Sequence, residues 1–189
     1  MKSTYGTGCF LMVNTKEKLV RSEDGLLTTV AYKLNNETNY ALEGSIYSCG
    51  NIIQWLRDKM EFFESAKESE LLINSNGESG NVHFLPAFNG LGAPYWNSDV
   101  RGGFQGITQN SNKKDFVTAA FKSICYQTKD IIESLNNKDI FINDLLVDGG
   151  MTSNNTFCQL LSDSLEIDIS KPSNICLLYT SDAADELCR

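Results

Sequence analysis

The chain has no run of eighteen apolar residues, no CxxC pair, no basic stripe, and no histidine besides His83. Each absence removes a class of function. Without a long apolar run, no membrane span is expected. The start, MKSTYG, has no apolar stretch behind its charge, so a secretory leader is not expected either. The longest basic run is Lys113-Lys114, and the net charge is -8 from 16 basic and 24 acidic residues. Charge-driven nucleic-acid binding is therefore disfavoured. The six cysteines, at 9, 49, 125, 158, 176 and 188, have neither zinc spacing nor the density of a disulfide framework. Dispersed thiols in apolar segments point to reduced core residues of a cytoplasmic protein, and His83 in VHFL reads as core as well. No Walker A sequence and no GxGxxG occurs, so a P-loop and a dinucleotide Rossmann site are disfavoured.

What is present suits one domain. At 189 residues and 41% hydrophobic, the chain can bury a real core and is short for two. Its acidity does not exclude a nucleotide, because backbone amides and a bound cation can hold phosphates whatever the net charge. The tail changes character after Ile175. CLLYTSDAADE, at 176–186, resembles an in-frame translation of a transposase-end sequencing adapter. Residues 176–189 are therefore expected to be non-native, and 1–175 to be the credible domain. At the other end, a Gly-Thr-Gly turn follows Met1 closely with no strand completed before it. Met1 is thus expected to be an internal methionine.

Along the body, residues 8–13 (GCFLMV), 26–34 (LLTTVAYKL) and 40–42 read as three strands joined by turns, an antiparallel meander. Residues 45–60 read as a helix, with Ile46, Cys49, Ile53 and Leu56 at helical spacing. A second, more exposed helix covers 62–72, a loop covers 74–81, and a strand covers 82–88. The aromatic loop at 89–96 is expected to be ordered. Residues 113–135 form the strongest helix, with Asn112 and Asp115 in a capping-box arrangement. A buried strand at 145–147 ends in Asp148-Gly149-Gly150. A helix capped by Thr152 or Ser153 then runs to Leu165, and 167–169 is a last strand. The pattern is α/β.

Two segments carry chemistry. In TYGTG, glycines let the backbone approach an anion, and Thr7 adds a hydroxyl donor. The same sequence also serves as a plain tight turn. In VDGGMTSNN, a strand runs through two glycines into a helix start, whose N–H groups suit a phosphate and whose Asn154 and Asn155 could reach a ribose or base. The same sequence also serves as a plain cap. Together they could clamp one nucleotide.

These segments, with GLLTTVAYKL, YALEGSI, IQWLRD, PAFNGLGAPYW and RGGFQGIT in the same order, resemble the C-terminal domain of the FGGY carbohydrate kinases. YALEGSI with IQWLRD resembles the glycerol kinases among them. The resemblance implies an actin-like, ribonuclease-H-like ATPase domain, here incomplete. It implies ATP and Mg2+ as nucleotide and cation, and phosphoryl transfer to glycerol giving sn-glycerol 3-phosphate. By the same resemblance Thr7 contacts the nucleotide phosphates, Gly50 and Gln54 line the nucleotide pocket, and Gly150 approaches the α-phosphate. Asn154 contacts the adenosine, and Phe10 packs on the glycerol carbons. No catalytic residue and no metal ligand is assigned here, because the family's catalytic aspartate and first phosphate loop are expected before Met1. A homo-oligomer is implied for the full-length enzyme. The alternatives are another FGGY sugar kinase or a non-catalytic nucleotide-binding module. Against the pattern of the resemblance, Lys16 stands where a glycine is usual, Gln109 where an arginine is common and Lys122 where an acidic residue is common; these read as surface or loop drift, and Gln109 could alter oligomer contacts.

Overall fold

A computed structural model of the chain describes residues 1–73, 79–136 and 140–172. Residues 74–78 of the expected loop, and all of 176–189, lie outside the described residues. The larger sheet has six strands: β1 (Lys2–Tyr5), β2 (Cys9–Lys16), β3 (Leu27–Leu34), β4 (Glu37–Ile46), β7 (Asp144–Asp148) and β8 (Asp168–Ser170). Their spatial order is β3-β4-β2-β1-β7-β8. The pairs β1–β2, β2–β4 and β3–β4 are antiparallel, while β1–β7 and β7–β8 are parallel. A two-stranded ribbon joins β5 (His83–Leu85) to β6 (Gly103–Gln105). The helices are α1 (Gly50–Asp58), α2 (Ala66–Leu72), α3 (Lys113–Asn136) and α4 (Asn155–Leu165).

The mixed α/β architecture matches the expectation, with differences that have local causes. A strand does precede the glycine turn: β1 lies between β2 and β7 and pairs with both. The three expected strands are antiparallel, but β4 rather than β3 adjoins β2. The second half of β4 is largely buried, whereas β3 is mostly exposed, so β4 takes the inner place and β3 the edge. The expected helix at 45–60 starts late. Ser45 and Ile46 pair with Phe10 and Cys9, so the strand persists until Gly50 can begin α1. Helix α2 starts at Ala66, because the Ser65 hydroxyl accepts from the Glu68 N–H at 3.2 Å. The strand expected at 82–88 contracts to β5, paired with the unforeseen β6. His83 is exposed on β5, not buried in the core. Alternation along the strand puts Val82 and Phe84 inward and His83 outward.

Helix α3 begins as expected. The Asn112 N–H donates to Asp115 at 2.8 Å, and the Lys114 N–H donates to the Asn112 side chain at 2.9 Å. Its buried side, with Phe121, Ile124 and Ile131, packs with Phe157 of α4 and with Tyr5, Leu11, Leu42 and Val147 of the sheet. Cys9, Cys49 and Cys125 are buried free thiols, and Cys158 is half-buried. Burial pushes the Cys9 and Cys125 thiols up to about 12. Lys16 has φ +56°, in the left-handed region that favours glycine, the residue the resemblance implies at that place. In the aromatic loop, Trp96 donates to the Gly25 carbonyl and the Tyr95 hydroxyl donates to Asp130 at 3.0 Å. Gln109 is exposed, and the Lys122 ammonium lies 5.6 Å from the centre of the Tyr126 ring.

Among the described residues one buried side-chain polar atom is left over. The Ser48 hydroxyl, just before α1, is buried with no hydrogen-bond partner. Ser48→Ala removes that desolvation cost, so the denaturation midpoint should rise, by about 1 kcal/mol of stability. A lower midpoint in chemical denaturation would contradict this account.

Candidate functional site

The glycine turn at 6–8 is fastened to the start of α1. The Gly50 N–H donates to the Gly6 carbonyl at 2.9 Å, and the Cys49 and Asn51 N–H groups donate to the Thr7 carbonyl at 3.1 and 3.2 Å. The opening N–H groups of α1 are therefore used to hold the turn. Gly50 is required by closeness: a Cβ there would lie 2.5 Å from the Gly6 carbonyl oxygen. Sequence alone placed Gly50 only on a helix, so this contact is its first structural account.

The second segment is more elaborate than a strand running into a helix. After β7, Gly149 has φ +96° and a Cβ there would meet the Tyr5 carbonyl at 2.3 Å. Residues Gly150–Ser153 then make a 3-10 turn before α4 begins. A Cβ at Gly150, in contrast, would meet nothing within 4 Å. The expected cap at Thr152 or Ser153 is corrected to Asn154, whose side chain accepts from the Phe157 N–H at 2.7 Å. Thr152 and Ser153 instead bond back to the carbonyls of Gly149 and Gly150. The α4 opening is also occupied from outside. One Glu70 oxygen accepts from the Thr156 N–H at 3.1 Å and from its hydroxyl at 3.2 Å. The dipole end of α4 thus already has an anion, and the open approach to the glycine pair is at Gly150 itself. Asn155 is turned to Lys171, which donates to it at 2.6 Å. Behind the glycines, the buried Asp148 accepts from Thr4 at 2.5 Å and pairs with Lys2 at 2.9 Å.

The two segments line one cavity of about 560 Å³. Thr7, Gly50, Gln54, Gly150 and Asn154 are all on its wall. Its volume lies within the range of small-molecule sites. Apolar lining comes from Ile53, Phe63, Phe121 and Met151. Sequence reasoning missed Glu70, which is also on the wall; its partner Thr156 is 86 residues away, so no local pattern marks it. Phe10 is not on this wall. It is half-exposed on β2, opposite Thr4 on β1 and Ser45 on β4. Among the described residues no group of three or more His, Cys, Asp or Glu could hold a metal ion.

The C-terminal domain of the FGGY family of carbohydrate kinases matches residues 1–176. The chain belongs to this family. The FGGY domain is 48% identical to a glycerol kinase of Marinomonas over 172 residues, which is 91% of this chain and 35% of that protein. It is 43% identical to one of Coxiella burnetii, covering 90% of this chain and 34% of that one. The chain thus spans about a third of the length of the curated relatives it matches. Among solved structures, Plasmodium falciparum glycerol kinase with ADP superposes with a TM-score of 0.84 at 38% identity, covering 92% of this chain and 35% of that one. A xyloylose kinase from Brucella ovis gives 0.81 at 18% identity over the same shares, which speaks to the fold alone. No helix among the described residues is long and apolar enough to cross a membrane.

Proposed function

We propose that this FGGY domain is the nucleotide-holding part of a glycerol kinase, which transfers the terminal phosphoryl group of ATP to glycerol and yields sn-glycerol 3-phosphate. The observation that carries this reading is the gathering of Thr7, Gly50, Gln54, Gly150 and Asn154 on one cavity wall. The similarity to a glycerol kinase structure with ADP supports it. Phosphoryl transfer rests on positioning and on electrostatic stabilisation of the transferring group. In this reading Gly150 admits a phosphate where a side chain would intrude, and the Thr7 hydroxyl donates to a phosphate oxygen. Asn154 has its carbonyl committed to α4 and so presents its amide N–H groups to the adenosine. Phe10, on the open side of β2, offers an apolar surface to the glycerol carbons.

The general base and the polar glycerol ligands belong, in this proposal, to the rest of the enzyme. Domain 1–175 is then one jaw of a two-jawed cleft, and 176–189 is a foreign tail. The complete enzyme is a cytoplasmic homo-oligomer. Magnesium does not fit these residues as a protein-built site. Glu70 is the one carboxylate among the described wall residues, and one of its oxygens already takes two bonds from Thr156. Magnesium would reach the cleft on the nucleotide's own phosphates.

The test uses the purified 189-residue chain. Calorimetry should detect ADP binding, and a coupled assay with glycerol and ATP should detect no product. Glycerol phosphorylation by the chain alone would refute the one-jaw reading, and absence of any nucleotide binding would refute the nucleotide assignment. Joining the domain to the N-terminal part of a related glycerol kinase and offering glycerol, xylulose and gluconate separates the glycerol reading from another FGGY sugar kinase.

A further inference from the structure

We infer that Glu70 is a specificity-determining residue for the nucleobase, and that with Asn154 it selects a purine bearing a 6-amino group. The inference rests on the nucleotide reading of the cavity. Both side chains are on the cavity wall, and both are held at the first turn of α4. The Asn154 side-chain oxygen is bonded to the Phe157 N–H at 2.7 Å, which fixes the amide and leaves both N–H donors of its NH2 group for a ligand. Glu70 is fixed through one oxygen by two Thr156 donors, at 3.1 and 3.2 Å. Its second oxygen remains an acceptor and has no donor capacity while ionised. Thr156 is two residues after Asn154 on the same turn, so the wall carries a fixed donor and a fixed acceptor anchored at one helix start.

Adenine matches that pair. Its 6-amino group donates to Glu70, and the adjacent ring N1 accepts from Asn154. Hypoxanthine has a carbonyl at C6 and an N–H at N1, so it reverses both positions. In the same orientation its oxygen would face the carboxylate and its N–H would face the Asn154 amide. A site built on buried hydrogen bonds rejects such an analogue because its polar groups are left unpaired.

The experiment measures ADP and IDP affinity of the 189-residue chain and of Glu70→Gln by calorimetry, with thermal melts to verify folding. Glutamine keeps a carbonyl oxygen for the Thr156 donors but turns an N–H group toward the base. The unsubstituted chain should prefer ADP by about 10- to 100-fold, the range for a hydrogen bond to a charged group. In Glu70→Gln the preference should collapse or invert, because ADP weakens while IDP strengthens. A purely structural role for Glu70 would move both nucleotides together, and that result overturns the inference. Equal affinities for ADP and IDP in the unsubstituted chain overturn it as well, since they mean that the base turns over freely. If neither nucleotide binds, the nucleotide reading falls and takes this inference with it; ADP binding with an unchanged ratio in Glu70→Gln removes the inference alone.

Discussion

Gly149→Ala should cost the domain about 2–5 kcal/mol, whereas Gly150→Ala, one residue on, should change stability by less than about 0.5 kcal/mol. The two glycines are neighbours with opposite constraints. At Gly149 the backbone has φ +96°, and an added Cβ would lie 2.3 Å from the Tyr5 carbonyl oxygen. That oxygen is main chain at the end of a central strand, so it cannot swing aside as a side-chain tip could. Accommodation must come from β1 moving away from β7, which loosens the parallel pair between them. At Gly150 the space around an added Cβ is open. The function proposed for that space is to admit a phosphate. A larger group, in Gly150→Val, should therefore leave the melting curve near that of the unsubstituted chain while lowering ADP affinity by roughly 10- to 100-fold, the equivalent of 1–3 kcal/mol of overpacking. Parallel denaturation and calorimetry on the three variants separate the effects. Equal loss of stability at 149 and 150 would contradict the division of roles.

The contrast also marks how far the sequence could be read. The Gly-Gly pair, the Gly-Thr-Gly turn and the 24-residue α3 were visible because each has a local signature: glycine adjacency, or apolar spacing with an Asn-x-x-Asp start. What stayed hidden depends on partners far along the chain. Strand β1 is Lys-Ser-Thr-Tyr, with no apolar run, and it is a strand because β2 and β7 flank it. The end of β4 has helical spacing from Ile46 to Leu56, yet Ser45 and Ile46 obey β2 instead. β6 contains a glycine and is three residues long; the ribbon exists because Phe104 stacks on Phe84 with ring centres 4.3 Å apart. The Asn154 cap was displaced from the expected position because the 3-10 turn Gly150–Ser153 intervenes. For the cavity, three of the five assigned residues, Gly50, Gly150 and Asn154, are glycines or helix-start positions whose chemistry is ambiguous in isolation; folding puts all five on one wall without itself naming the ligand.

Tyr5 is where the hidden strand meets the visible motifs, and Tyr5→Ala should cost about 3–5 kcal/mol. The side chain is fully buried and also borders the cavity. Its ring meets Phe157 of α4 edge-on, with centroids 5.4 Å apart and planes at 78°. Its hydroxyl lies 3.1 Å from the Thr128 hydroxyl on α3. Thr128 already donates to the Ile124 carbonyl at 3.0 Å, so Tyr5 is the donor between the two. Burial pushes the Tyr5 phenol well above its ordinary value, which keeps it a donor through the neutral and mildly alkaline range. One residue therefore ties β1 to two helices while its carbonyl limits Gly149. Tyr5→Phe keeps the ring and removes only the hydroxyl. Thr128 retains its bond to Ile124, so this variant should lose only about 0.5–1.5 kcal/mol. The difference between the two variants measures ring packing apart from the hydrogen bond. Chemical denaturation should then rank the unsubstituted chain first, Tyr5→Phe close behind and Tyr5→Ala far below. If Tyr5→Phe were as damaging as Tyr5→Ala, the hydroxyl pair rather than the aromatic contact would be holding β1 in the sheet.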